Sequence, residues 1–357
     1  MSKYHKNLEN ALHMFDLYWK RENHERPLIM ARVPNLVDPV PIPAHKSLEQ
    51  KWMDASFVLD VAQAEFHNTY YAGESIPVFN PNIGSDFMGA ILGCNLILSE
   101  DTTWSERCIN NWDDLKPLLF DCNNKWWKII EELTQAAISI AGNDFIVGIT
   151  DIHNGLDAIA AMRGVEEMCL DLYDSPDIIK NVTSQIHDVF VDVIKTSCEF
   201  LKPQRGTTNW MGIYHPGLWY VTSCDAAGLL SCEMFEEFVI PQLERELEIL
   251  DASMFHLDGP DALKHLDRLL EIENLKGVQF SYAANPCSAL PYIDVWKKIQ
   301  NAGKCTILGA APDEITIFCE QLRPEGVIYF VNCDTLEQAD AVILEATKAS
   351  KKWYATF

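Results

Sequence analysis

The chain has 357 residues, with 28 Lys and Arg against 52 Asp and Glu, a formal net charge of −24. So acidic a protein repels phosphate backbones, and no basic run offers a local exception, so nucleic acid is not an expected partner. Hydrophobic residues make up 48% and aromatics 10%, far above a disordered acidic chain. No apolar stretch reaches the roughly 18 residues of a membrane span, so no membrane is expected either. Eleven cysteines are scattered from Cys94 to Cys333 without a CxxC pair, which argues against a disulfide framework. The amphipathic N-terminus lacks the apolar core of a secretory signal, so a reducing cytoplasm is the expected location.

In chain order, a helical extension over residues 1–25 precedes an alternation of strand-like and helix-like segments. Eight strands are predicted: Leu28–Val33, Ile76–Asn80, Phe145–Asp151, Thr207–Ile213, Met254–Asp258, Gly277–Ser281, Cys305–Gly309 and Val327–Val331. Amphipathic segments include Ser231–Leu250, with Ser231 placed to cap it, and Thr335–Lys351. Pro312 is placed to open a helix after the seventh strand. Residues 81–144 form an insertion between the second and third strands. The pattern predicts an α/β fold, a (β/α)₈ TIM barrel formed by one domain over residues 1–357, with a doubly wound open sheet as the alternative.

In such a barrel, chemistry belongs at the C-terminal ends of the strands. The predicted ends carry Arg32, Asn35, Asn80, Asn82, Asp151, His153, Asn209, Trp210, His215, His256, Asp258, Gln279, Ser281 and Cys333. In Phe255-His256-Leu257-Asp258-Gly259-Pro260, alternation places His256 and Asp258 on one face. That pair fits a metal site, a general acid/base pair, or a carboxylate that merely orients an imidazole. Cys333, after the eighth strand, adds a thiolate to make a three-ligand zinc set with an open fourth position. Cys287 is a weaker candidate at the same rim. Asp151 and His153 form a second catalytic pair or a buried structural network, with Arg163 nearby to anchor an acidic group. Asn80, Asn209, Trp210, His215 and Gln279 are predicted to line a substrate pocket. No phosphate-binding loop and no nucleophile elbow is present.

These residues carry a resemblance. The series RPLIMAR, NPNIGSDFMGAILGC, TDIHNGLDAIAAMRG, DAAGLLSCEMFEEFVIPQLE and HLDG resembles the uroporphyrinogen decarboxylase superfamily over nearly the whole chain. True decarboxylases of that superfamily carry an M-R-Q-A-G-R-Y segment and a second-strand Asp. Here Met30-Ala31-Arg32-Val33-Pro34-Asn35 lacks the paired arginines, and Ser75-Ile76-Pro77-Val78-Phe79 lacks the Asp. The excess of acids also weighs against an octacarboxylate substrate. The chain is closer to the zinc- and corrinoid-dependent methyltransferase branch, whose H-x-C pair and distant Cys match His256, Asp258 and Cys333, with Asp258 departing from the pattern.

The resemblance implies Zn²⁺ held by His256, Asp258 and Cys333; Asp151 and His153, paired at their strand end, are the further candidate catalytic and substrate-positioning residues. The implied partners are a corrinoid carried by a second protein and a small methyl donor or acceptor: an ether, an amine or a thiol. Two other readings stand beside it. One is a metal-free decarboxylase of another carboxylate, using His256 and Asp258 as acid and base. The other is a non-catalytic barrel that binds a tetrapyrrole or a metabolite.

Overall fold

The computed structural model describes residues 2–282 and 288–356, and the side chains up to residue 353. Eleven strands are described: β1 (Leu28–Pro34), β2 (Thr69–Gly73), β3 (Val78–Phe79), β4 (Asn95–Leu98), β5 (Thr103–Glu106), β6 (Ile146–Val147), β7 (Trp219–Ser223), β8 (Ala252–Asp258), β9 (Gly277–Ser281), β10 (Thr306–Gly309) and β11 (Val327–Asn332). Eight of them pair in parallel: β3 with β6, β7 with β8 and β8 with β9, β10 with β11, and β11 with β1. A bridge between Gly277 and Cys305 links β9 towards β10. The antiparallel strand β2 flanks β1, and β4 and β5 form a separate hairpin. The architecture is α/β, as expected, with helices between the parallel strands. One hydrophobic cluster runs from Leu8 to Ala349.

The parallel strands are mostly those predicted, with one correction. Thr207–Ile213 is not a strand; only Thr207 bridges, to His215, and the Thr208 carbonyl accepts a bond from the Ile149 amide at 2.9 Å. Asn209 closes a local turn instead: its side-chain Oδ1 accepts from the Met211 amide at 3.1 Å and its carbonyl from Gly212 at 2.9 Å. Gly212, at φ +69°, completes a turn that a side chain would strain. The strand in that position is β7, a run of β-favouring Trp219, Tyr220, Val221 and Thr222, all buried.

Other boundaries shift locally. The second and third predicted strands shrink to the two-residue β3 and β6. The N-terminal extension holds one helix, Leu8–Lys20. Ser231 caps its helix as expected, accepting from the Met234 amide at 3.2 Å. That helix divides into Cys232–Phe238 and Ile240–Leu247, because Pro241 has no amide to continue the ladder. The insertion over residues 81–144 contains the β4–β5 hairpin and the helices Phe87–Ile91 and Lys125–Ala141. Arg26, at the head of the RPLIMAR segment, is committed to Glu74 through two bonds of 2.6 and 2.8 Å.

Candidate active site

Strand β8 lies between β7 and β9, with Ser223 opposite His256, His256 opposite Gln279, and Asp258 opposite Ser281. Phe255 and Leu257 are buried, so His256 and Asp258 share the other face as the alternation predicted. Gln279 Oε1 can only accept, so the Nδ1–H of His256 donates to it, which leaves Nε2 for another partner. Nε2 stands 4.0 Å from Oδ1 of Asp258. Trp210 sets its ring edge-on to His256, with centroids 5.4 Å apart. Two residues of the sequence expectation, Gln279 and Trp210, therefore both touch a third, His256, although Trp210 comes from a loop.

A second group gathers after β6. The buried Tyr220 hydroxyl donates to the Thr150 carbonyl at 2.8 Å and accepts from the Ile152 amide at 2.7 Å, which pins the turn leading to His153. His153 then meets three carboxylates: Nε2 is 3.5 Å from Asp151, and Nδ1 is 3.2 Å from Asp225 and 4.0 Å from Asp157. Burial works against the imidazolium, but hydrogen bonds and charge from Asp151 and Asp225 outweigh it, and the His153 pKa is pushed up to about 11. Burial, followed by the charge of Asp225, raises the Asp157 carboxyl above its ordinary range. For Asp225 burial acts upward as well, yet its bond to His153 and the charges of His153 and His256 bring it below the usual value.

The turn has its own support. Gly155, at φ +61°, lies where a Cβ would come within 2.4 Å of the Gln242 carboxamide. Asn154 and Gln242 each donate to Oε1 of the buried Glu246 at 2.7 Å. Burial is the main reason that the Glu246 pKa rises to about 7. Asp157, in the first turn of the helix Leu156–Arg163, accepts from the Asp225 and Ala226 amides at 2.9 and 3.2 Å.

The other expected residues divide. Asn80 and Asn209 flank Gly148, whose Cβ would lie 3.1 Å from Asn80 Oδ1 and 3.4 Å from Asn209 Cα. Asn80 Oδ1, Asn209 Nδ2 and Arg32 Nε are buried without a hydrogen-bond partner among the described residues. Such groups are suited to a ligand. His215 does not stand at a C-terminal strand end: it precedes β7, packs edge-on against Trp19 at 5.6 Å, and accepts from the Gly217 amide at 2.9 Å. The correction follows from the turn at Asn209, which reverses the chain before β7 begins. Arg163 is likewise committed within the protein, to Asp171 at 2.8 Å.

Cys333 is buried, and burial raises its thiol pKa. Among the described residues, the group of three metal-capable side chains with donor atoms all within 4.8 Å of one another is His153, Asp157 and Asp225. Cys333 does not join His256 and Asp258 at that spacing. Cys287 lies outside the described residues. One imidazole nitrogen and two carboxylate oxygens match the ligand chemistry of zinc and of harder divalent ions. Asp157 and Asp225 were not among the expected site residues. Recognising the β-favouring run Trp219–Ser223 would have put Asp225 at a strand end.

The fold is similar to that of a methyltransferase from Methanosarcina mazei, with a TM-score of 0.63, 11% identity, and coverage of 96% of this chain and 99% of that chain. At that identity the likeness is one of fold. No protein-family model matches the chain, and no curated protein matches it. None of the described helices is long and apolar enough to cross a membrane.

Proposed function

We propose that this chain is a methyltransferase of the uroporphyrinogen decarboxylase superfamily, moving a methyl group between a small ether, amine or thiol and a corrinoid carried by a partner protein. In this reading the eight parallel strands close into a single (β/α)₈ barrel in a cytoplasmic enzyme, and the site lies at its mouth. The observation that carries the reading is the gathering of Gln279, Asp258 and Trp210 around His256 at the end of β8, with a second group, His153, Asp157 and Asp225, whose donor atoms lie within 4.8 Å of one another. The motif resemblance and the methyltransferase of like fold support the same class.

The residues divide the work in this reading. Gln279 fixes the ring of His256 and keeps Nε2 open towards the substrate. Trp210 packs edge-on against that ring and would form one wall of the substrate pocket. Asn80 and Asn209 offer an unused acceptor and an unused donor to orient a polar substrate. Asp151 and Asp225 hold His153 in place from opposite ring nitrogens.

Two donor sets fit a divalent ion to different degrees. His153, Asp157 and Asp225 already converge, and zinc there would have to displace the proton that His153 Nδ1 shares with Asp225, whereas His256 and Asp258 supply a nitrogen and an oxygen from which Cys333 stands apart. A zinc ion held by either set supplies Lewis acidity to a substrate heteroatom. Elemental analysis of untagged protein tests this assignment. About one zinc per chain is expected, lost in His153→Ala if the converged set holds it and in His256→Ala if the resemblance set does. Metal-free protein that retains full activity would overturn metal dependence.

A further inference from the structure

We propose that Cys94 and Cys108 form a reversible redox pair, which a peroxide or a small organic disulfide converts into a bond clamping the base of the β4–β5 hairpin. Their sulfurs lie 2.7 Å apart. Bond formation at that separation needs side-chain rotation rather than backbone movement.

The juxtaposition is built by the backbone. The hairpin register sets Asn95 opposite Glu106, so the residues flanking both strands meet at its open end. Gly93, at φ +119°, turns the chain out of the helix Phe87–Ile91, and the Cys94 amide donates to the Gly89 carbonyl at 3.0 Å. On the other side, the amides of Cys108 and Ile109 both donate to the Met162 carbonyl, at 2.9 and 3.0 Å. Both cysteines are therefore anchored to neighbouring elements before any covalent link forms.

The two thiols are not equivalent. Cys94 is buried, whereas Cys108 is exposed and lines a cleft of about 530 Å³ with Ile109, Asn110 and Leu118. The hydrogen bond between the thiols, with burial adding to it, raises the pKa of Cys94, while the same bond lowers that of Cys108. Cys108 is thus the accessible nucleophile and Cys94 the resolving thiol.

With hydrogen peroxide, the Cys108 thiolate attacks one oxygen, the O–O bond breaks, and hydroxide leaves and takes up a proton. Cys94 then attacks the resulting sulfenic sulfur, the S–O bond breaks, and the Cys94 proton leaves with the oxygen as a second water. Two electrons pass from the thiols to the peroxide. With a small disulfide, two exchange steps release two small thiols instead, and a dithiol reductant reverses either route. The bridge closes the open end of the hairpin, where the Cys108 and Ile109 amides already bond the Met162 carbonyl of the helix Leu156–Arg163.

The test uses the reduced full-length protein, treated with hydrogen peroxide or oxidised glutathione and mapped under non-reducing conditions. Free thiols are expected to fall from eleven to nine, with one linked Cys94–Cys108 peptide, and dithiothreitol is expected to restore them. The melting temperature is expected to rise by about 5 °C on oxidation. Cys108→Ser and, independently, Cys94→Ala abolish the linked peptide and the shift, whereas Cys122→Ser keeps both. A stable glutathione adduct on Cys108 with Cys94 still free, a link between other cysteines, or an unchanged thiol count would each overturn the proposal.

Discussion

The two groups of the candidate site are held by different means. His256 and Asp258 stand on the seven-residue β8, flanked on both sides by regular parallel ladders that fix side-chain direction through the backbone. His153 follows the two-residue β6 in a turn, and its position is set by side chains: the Tyr220 hydroxyl, three carboxylates, and the Asn154–Glu246–Gln242 cluster. A site residue on a ladder is removable without harm to the fold. One held by a side-chain network takes part of the local structure with it. This contrast orders the effects of mutation.

The largest effect falls on the ladder side. His256→Ala should lower methyl transfer by about a thousandfold, the range of a removed catalytic side chain. Its melting temperature should stay within about 2 °C of the wild type, because β8 keeps its ladder bonds. A collapse in stability would break the contrast. On the network side, Asp157→Ala should cost about 2–3 kcal/mol in denaturant unfolding, because the Asp225 and Ala226 amides lose their shared acceptor. A neutral result would show that Tyr220, Asp151, Asp225 and the Asn154–Glu246–Gln242 cluster hold the turn without Asp157.

Glu246 gives a pH-dependent version of the same test. Its folded-state pKa of about 7 lies above the ordinary carboxyl value of 4.5. The protonated carboxyl therefore contributes stability that is complete below the unfolded value and is lost as pH rises through the folded one. Glu246→Gln imitates the protonated form. Its stability should match the wild type below pH 4.5 and exceed it above pH 7 by about 3 kcal/mol. Parallel unfolding curves at both pH values would show that Glu246 is not titrating in its network.

The smallest effect returns to the ladder. Gln279→Leu frees the His256 ring and should lower kcat/KM about tenfold, with Gln279→Glu recovering part of the loss as the retained acceptor for Nδ1–H. An equal loss in both variants would argue that Gln279 contacts substrate directly.

The same contrast explains what the sequence makes legible. The His256–Asp258 relation follows from alternation on a long strand, and Gln279 follows from the adjacent strand end. The partners of His153 do not follow from spacing. Asp225 arrives from 72 positions away by way of β7, whereas the sequence pattern predicts that strand at Thr207–Ile213. Asn209 and Gly212 there look strand-compatible one residue at a time, but they close hydrogen bonds locally. Cys333 was placed at a strand end correctly, yet its buried sulfur stands outside the spacing of the other two expected ligands. Strand position alone does not determine such convergence.

The proposed reaction is tested most directly by incubating the zinc-loaded protein with cob(I)alamin and a panel of methyl ethers, amines and thiols, and following the cobalamin spectrum. The account predicts conversion to methylcobalamin with at least one donor, abolished in His256→Ala. Cob(I)alamin left unchanged by every donor, together with carbon dioxide release from a carboxylate substrate by the metal-free protein, would contradict it and assign the chain to the lyases.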